Sequence, residues 1–483
     1  MAATLRYIDS DRVTVYETGD DGKKRRLATL LWGDNVRVLG KSGGYWKLDF
    51  TTRKWDDAQQ RYYWKKHDAF MAGDVRFRDT PLLKVRFVDV GQGDGAIIES
   101  PGGQIVLIDG GEEDHIYNYV TASWAHVLRN RPLALAAIVT THGDADHFSG
   151  LTRLVNGWGL RGQPPITTER VFHNGLVKRM TGTKELLGKV IRKAGVTYAD
   201  DLHGNLLDTP DKQMNTPFRA WKQALKKLKQ ASPSFSIRRL SYGDDDAFDF
   251  LFSEGIDVQV LGPITERVDR KEVLRFLRSP ATGALSAGHT INGHSIVLRL
   301  TYGNVRFLFG ADLNAESEQL LLARARADGT SLTSEVLKVP HHGSADFSPA
   351  ILDAIRPVVS VISSGDESGS KEYIHPRAGL VGALGKYSRG TVERPLIYVT
   401  EMVAFFKKHG LVQMQKKSAK TQKLTGQPFD VRNAYEKTSF GIVHVRTDGE
   451  RVLVATHSGR EDKKEMYVFR VNANGNVELQ HPD

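Results

Sequence analysis

The stretch His142-Gly143-Asp144-Ala145-Asp146-His147 puts two imidazoles and two carboxylates on one short segment. That donor set suits a pair of divalent cations of hard to borderline character. The segment follows directly on the apolar run Ala134-Leu135-Ala136-Ala137-Ile138-Val139, so a buried strand should run out into a ligand-bearing loop. Gly143 and Ala145 free the backbone to turn all four side chains inward. The plain alternative is a hydrogen-bonded turn rich in Asp and His.

Other donors stand at comparable places. Asp312 follows the apolar run Val305–Phe309, His341 follows Val336–Val339, and His375 comes shortly after Val358–Ile362. Donors at strand ends converge on one edge of stacked sheets even when they are far apart in sequence.

At 483 residues the chain should hold two or three domains, and 40% hydrophobic residues supply a substantial core. No apolar run approaches the roughly 20 residues that span a bilayer, so no membrane association is expected. Met1 to Asp9 shows no basic stretch followed by an apolar one, so a cytoplasmic location is the expectation. The absence of cysteine excludes disulfides, thiolate-bound zinc and a Cys nucleophile. A net charge of +10 favours polyanionic partners, nucleic acid first among them.

Residues 1–80 read as short strands, Arg12–Tyr16, Arg26–Trp32, Asn35–Leu39, Tyr45–Phe50 and Arg61–Lys65, separated by glycine turns. The pattern Asn35 to Leu48 resembles the central hairpin of bacterial SH3-like β-barrels, which bind peptides, glycans or a partner chain. Trp55, Tyr62, Tyr63 and Trp64 would then form a binding face or fill the small core. Residues 83–394 alternate strand and helix, a layered α/β signal. Within them, Pro217–Gln230 reads as a helix with Trp221, Ala224, Leu225 and Leu228 on one stripe and Lys222, Lys226, Lys227 and Lys229 on a solvated face. Val177 to Asp246 carries few clear strands and reads as an insertion over the core. Residues 395–483 read as a β-rich extension: a basic loop from Lys416 to Lys423, then strands Phe440–Arg446, Arg451–Thr456 and Met466–Val471.

Eight blocks in order carry a family resemblance. They are Val88 to Asp94, Val106 to Gly111, His142 to Gly150, Ile256 to Pro263, Ile291 to Leu298, Phe307 to Asp312, Lys338 to Ser344, and Tyr373-Ile374-His375-Pro376. Together they resemble metallo-β-lactamase-fold hydrolases, and among those the soluble hydrolase domain of the ComEC competence family. Asp144 stands where the broader fold usually carries His, a change common in the ComEC group. Gly-Ala precedes Asp312 where Thr-Gly is more usual, and the family's membrane channel is missing.

The resemblance implies an α+β fold, an αββα sandwich preceded by the SH3-like barrel and followed by the β-rich segment. It implies two divalent ions, Zn2+ or Mn2+. His142, Asp144 and His341 would hold one, Asp146, His147 and His375 the other, and Asp312 would bridge them. Two such ions lower the pKa of water to near neutrality, so no protein nucleophile is required. Asp146 and His342 are the candidate catalytic residues; His342 would orient a ligand, hand a proton to the leaving oxygen, or simply pack beside His341. Asn292, His173 and Ser344 are candidate substrate contacts, His173 alternatively a ligand or a merely hydrogen-bonded strand-end residue. The leading expectation is a phosphodiesterase or nuclease acting on DNA or RNA. Hydrolysis of a small phosphodiester (a choline-phosphate ester, a cyclic nucleotide, a lipid headgroup) or of a lactone is the alternative. A scaffold that recruits a protein partner through the SH3-like module is the third.

Overall fold

A computed structural model of the chain describes residues 3–482 apart from 57, 60, 158, 182–183, 366–374, 390–394, 402–404, 418–423, 440 and 457–464. Tyr373 and Ile374 of the last sequence block, Phe440, and residues 418–423 of the expected basic loop lie outside the described residues, as does the side chain of Trp55.

The N-terminal strands Thr4–Ile8, Arg12–Thr18, Lys24–Leu31, Asn35–Ser42, Tyr45–Asp56, Arg61–Ala72 and Phe77–Arg78 form one antiparallel sheet of seven. Their period-two alternation sends Val13 and Val15, then Val36 and Val38, to the same inner face. Ser42 pairs with Tyr45 across Gly43-Gly44, and both glycines have positive φ, as a two-residue hairpin turn requires.

The rest of the chain builds two further sheets. The first has ten strands: Ser236–Arg239, Arg170–His173, Ala137–Thr140, Ile105–Ile108, Ala96–Glu99, Leu83–Val88, Ile442–Thr447, Arg451–Thr456, Met466–Val471 and Val477–Gln480. The second has six: Ile256–Gly262, Val297–Tyr302, Val305–Phe309, Val336–Lys338, Val359–Ile362 and Leu396–Val399. One apolar core joins them, with Val85, Phe87, Val106 and Val139 of the first packed among Val258, Leu298, Phe307 and Val336 of the second. Ala137–Thr140 is buried along its whole length, so its sequence is continuously apolar instead of alternating.

The helices are α1 (His115–Ser123), α2 (Ala125–Leu128), α3 (Ala145–Asn156), α4 (Thr216–Ala231), α5 (Ala287–Gly293), α6 (Ala315–Asp328), α7 (Pro349–Ile355) and α8 (Ala378–Tyr387). Helices α1, α3 and α4 share a core with the first sheet, and α6, α7 and α8 share one with the second. In α4 the Asn215 side chain accepts from the Phe218 amide at 3.1 Å, and Pro217 occupies the first turn, where its missing N–H costs nothing. The apolar stripe of α4 is the expected one. Lys222 is the correction: it is buried, donating to Thr209 O at 2.6 Å and Asp211 Oδ1 at 2.8 Å, so it is not part of a solvated face.

The insertion over 177–246 holds more strand than its sequence suggests. Val190–Lys193 and Val196–Ala199 join Lys271–Arg275 and Glu266–Val268 in a four-stranded sheet, and Ser236–Arg239 edges the first large sheet. These strands are short and charged, which hides their alternation. The strands beyond 395 are continuous with the two large sheets, for Leu396–Val399 closes the second and Ile442–Thr447 pairs with Leu83–Val88 of the first. Those C-terminal strands also seat the N-terminal sheet. Leu31, Trp32 and Leu82 bury against Leu453, Ala455 and Val468. Arg446 donates to Trp32 O at 2.7 Å and pairs with Asp34 at 2.9 Å, and Arg451 pairs with Asp11 at 2.7 Å. Among the described residues, no helix is long and apolar enough to cross a membrane.

Candidate metal centre

The parallel strands Ala137–Thr140, Val305–Phe309, Val336–Lys338 and Val359–Ile362 end at one edge of the two sheets, and the predicted donors sit on the turns that follow. Asp144 precedes the first turn of α3 and Asp146 lies within it. Helix α3 is pulled against the preceding loop: Gly110 N donates to His147 O at 2.8 Å and Gly150 N to Gly111 O at 2.8 Å. A Cβ at Gly150 would stand 1.9 Å from Gly110 O, so only glycine permits this approach.

Asp312 is the hub. Its Oδ2 lies 3.2 Å from His342 Nε2, 3.4 Å from His147 Nε2, 3.8 Å from His142 Nε2 and 3.9 Å from His341 Nε2. His342 Nε2 is also 3.7 Å from Asp146 Oδ2. Among the described residues, donor atoms close enough to share an ion group as His142, His147 and Asp312; as Asp146, His147 and His342; as Asp94, Asp312 and His342; and as Asp94, Asp109 and His147. Nε2 of His142, His147 and His342 and Oδ1 of Asp312 are buried and make no hydrogen bond. Buried polar atoms without partners are costly, and divalent cations at this point would satisfy them together. The residues therefore fit a metal centre.

Behind the donors stand residues the sequence reading did not single out. Asp109 accepts from Thr141 N at 2.8 Å and Thr141 Oγ1 at 2.6 Å, and pairs with His147 Nδ1 at 2.8 Å. This fixes a proton on Nδ1 and leaves Nε2 free to ligate. His342 Nδ1 faces Ser363 O at 3.0 Å and Asp94 Oδ1 at 3.2 Å, and Lys338 pairs with Asp94 below. Both carboxylates lay in blocks that were visible: Asp109 ends an apolar strand before Gly110-Gly111, and Asp94 sits in a glycine-rich loop.

The electrostatics follow from burial and neighbours. Burial lowers His342, but Asp312 and Asp94 outweigh it and push the imidazole up to about 10. His147 is likewise held well above its usual range, burial losing to Asp312 and Asp109. Burial and the neighbouring His147 drive His142 well below that range. Asp312, which burial alone would raise, is held far below the usual carboxylate range by His342 and His147. Burial raises Asp109 and Asp144. The cluster attracts positive charge at its centre.

Four non-glycine residues with left-handed backbone surround it: Asp109 (φ 54°), Ala311 (φ 44°), His341 (φ 49°) and His342 (φ 52°). Such conformations cost about 1–3 kcal/mol each and persist where surrounding contacts impose them, typically at functional sites. The consecutive pair brings both imidazoles toward Asp312, His342 at 3.2 Å and His341 at 3.9 Å. His342, expected to orient a ligand or pass a proton, is the more buried of the two, and His341 stands nearer the rim.

There Asn292 bridges two predicted ligands. Its amide oxygen accepts from His341 Nε2 at 3.2 Å, and its nitrogen donates to Asp144 Oδ2 at 3.0 Å and Gly288 O at 3.1 Å. Asp144 Oδ1 also accepts from Lys178 at 2.9 Å. His375 stands 6.2 Å from His341, ring to ring, and burial beside His342 and His341 lowers it to about 4. Asp144, His341 and His375 thus line the rim and lie outside the close donor groups. Ser344 Oγ accepts from Asp346 N at 3.2 Å on the turn after His342. His173 is buried with both ring nitrogens engaged, Nε2 donating to Gly204 O and Nδ1 accepting from Gly175 N, each at 3.1 Å. No ring atom is left for substrate or metal, as expected of a hydrogen-bonded strand-end histidine.

A search of curated proteins finds no match. Among solved structures, the chain is similar to a CmlA beta-hydroxylase mutant at 13% identity and a TM-score of 0.30, over 67% of this chain and 53% of that one. The chain thus spans about half the length of that protein. The family model described as the metallo-beta-lactamase superfamily matches residues 88–365, more than half of the chain, from the end of the strand Leu83–Val88 to beyond His342. The chain belongs to the metallo-beta-lactamase superfamily.

Proposed function

We propose that this protein is a binuclear metal-dependent phosphodiesterase that cleaves nucleic acid. The observation that carries the metal dependence is the convergence of three buried imidazole nitrogens, Nε2 of His142, His147 and His342, on Asp312. His142, His147, His342, Asp146 and Asp312 would hold the ions, Zn2+ or Mn2+. Bound there, divalent cations supply Lewis acidity that deprotonates water near neutral pH and neutralises charge developing on phosphate oxygens.

The chain's own residues set the geometry. Asp109 and Thr141 fix the His147 ring, and Asp94 and Ser363 fix His342. Gln92 donates to Asp146 Oδ2 at 3.3 Å and restrains it beside His342. At the rim, Asn292, His341, His375 and Ser344 meet the substrate. Lys178, against Asp144, offers a cation to the scissile phosphate.

Nucleic acid is favoured over other esters by the net charge of +10 and by the ComEC-like blocks. The N-terminal sheet, read as SH3-like, exposes Tyr45, Tyr62 and Tyr63 and would recruit a protein partner. The test is cleavage of labelled single- and double-stranded DNA, RNA and a bis-aryl phosphodiester with added Mn2+ or Zn2+. Polynucleotide cleavage abolished by EDTA and by Asp312→Ala is expected. Cleavage of the small diester alone would overturn the nucleic-acid reading, and inertness toward every diester with metal bound would overturn the phosphodiesterase reading.

A further inference from the structure

The three parallel strands that end at the metal cluster begin at a second concentration of charge. Arg306 opens Val305–Phe309, Glu335 precedes Val336–Lys338, and Arg356 lies just before Val359–Ile362. Their far ends lead to Asp312, to His341 and His342, and to Ser363. Arg306 stands at the start of Val305–Phe309 and Asp312 three residues beyond its end, so the strand separates the two.

At this opposite edge is a cavity of about 640 Å³, lined by Arg306, Arg356, Arg389, Asn304 and the Asn472–Asn476 turn. Glu335, fully buried, is the carboxylate that serves these guanidiniums among the described residues. It pairs with Arg306 Nη2 at 2.6 Å and Nε at 3.0 Å, accepts from the Arg306 amide at 2.7 Å, and pairs with Arg389 at 2.8 Å. Its acceptor capacity is largely taken. Arg356 makes no carboxylate pair among the described residues, so three positive groups face one negative.

Arg389 is the telling member. It is 8% exposed; its Nε donates to Arg356 O at 2.7 Å and its Nη1 to Gly475 O at 3.2 Å. Its Nη2 is buried without a hydrogen-bond partner. Leaving a buried guanidinium donor unsatisfied is expensive, and the two N–H groups of Nη2, beside a second arginine, suit a phosphate oxygen. The cavity volume lies in the range that accepts a small metabolite.

We propose that this arginine cluster is a second anion site, remote from the metal centre, that binds a phosphate-bearing small molecule. Arg389 and Arg356 hold the phosphate oxygens, Arg306 and Glu335 brace Arg389, and the Asn472–Asn476 turn forms the outer wall. The site is independent of the reaction at the metals.

The experiment titrates metal-free protein, whose metal centre holds no cation to attract the probe, with inorganic phosphate, pyrophosphate and a nucleoside diphosphate. Sulfate at matched ionic strength is the control, and calorimetry and melting temperature are the readouts. Arg356 sits at φ 48°, a conformation Asn adopts readily, so Arg356→Asn removes the charge without disturbing the fold. Saturable binding to wild type, at least about tenfold weaker in Arg356→Asn with unchanged melting of the free protein, is expected. Arg389→Gln should abolish it. Pyrophosphate binding as tightly as the nucleoside diphosphate would identify bare phosphate as the recognised group, and preference for the nucleotide would add its base and sugar. Absence of saturable binding, equal competition by sulfate, or full affinity in Arg356→Asn would overturn the proposal.

Discussion

Replacing Asp109 by Asn tests whether the residues behind the donors govern the metal centre. The carboxylate receives three contacts: Thr141 N at 2.8 Å, Thr141 Oγ1 at 2.6 Å and His147 Nδ1 at 2.8 Å. An amide of the same shape keeps one oxygen for Thr141 N and turns a donor toward the other two. The threonine hydroxyl can rotate and accept. His147 Nδ1 can accept only by losing its proton, which then resides on Nε2, the atom facing Asp312 Oδ2 at 3.4 Å. A protonated Nε2 must be stripped before it can ligate. Loss of an outer partner of this kind weakens metal binding by about 10–100-fold, or about 1.4–2.7 kcal/mol. Folding should change by less than about 1 kcal/mol, because a neutral amide replaces a carboxylate that burial already disfavours. Calorimetric titration of metal-free wild type and Asp109→Asn with Zn2+ or Mn2+, with melting measured alongside, reads both quantities. Wild-type affinity in the variant would refute the claim that Asp109 sets the His147 tautomer.

Three further outcomes are expected. Gly150→Ala should destabilise by at least about 2 kcal/mol in urea unfolding, since the new methyl would sit 1.9 Å from Gly110 O; a change below about 0.5 kcal/mol would mean the loop yields freely. Asn215→Ala should cost about 1 kcal/mol through loss of the cap on α4, and an unchanged denaturation midpoint would show that the 3.1 Å bond contributes nothing. Burial raises Glu318 to about 8, so the fold keeps a proton that the unfolded chain releases near 4.5. Stability from this group is complete below about pH 4.5 and declines as pH rises toward 8, by up to about 5 kcal/mol. Glu318→Gln should therefore melt above wild type at pH 9 and lose that part of the slope, and parallel melting profiles from pH 5 to 9 would contradict this.

The parts of the molecule written as local pattern were legible in the sequence. The buried strand before His142, the apolar stripe of Trp221 and Leu225, and the N-terminal strands each carry their signal within a few residues. What escaped depends on tertiary geometry. His341 and His342 are adjacent and chemically identical, and only the left-handed turn they share decides that His342 is the closer to Asp312. Asp109 and Asp94 are ordinary strand-end and loop carboxylates until folding brings them behind His147 and His342. Lys222 looked solvated because its helical face is basic, yet Asp211 and Thr209 fold over it. The C-terminal strands carry no mark of their partner, and their place beside Leu83–Val88 is a pairing between segments more than three hundred residues apart.

On the reading proposed here, His142, His147, His342, Asp146 and Asp312 hold a pair of catalytic divalent ions. The most direct test counts metal per chain by native mass spectrometry, after loading metal-free protein with Zn2+ or Mn2+, in wild type and in Asp312→Ala. A pair of ions per wild-type chain is expected, and loss of both in a variant that still melts cooperatively. Wild type that takes up no metal, or Asp312→Ala that retains the full pair, would contradict it.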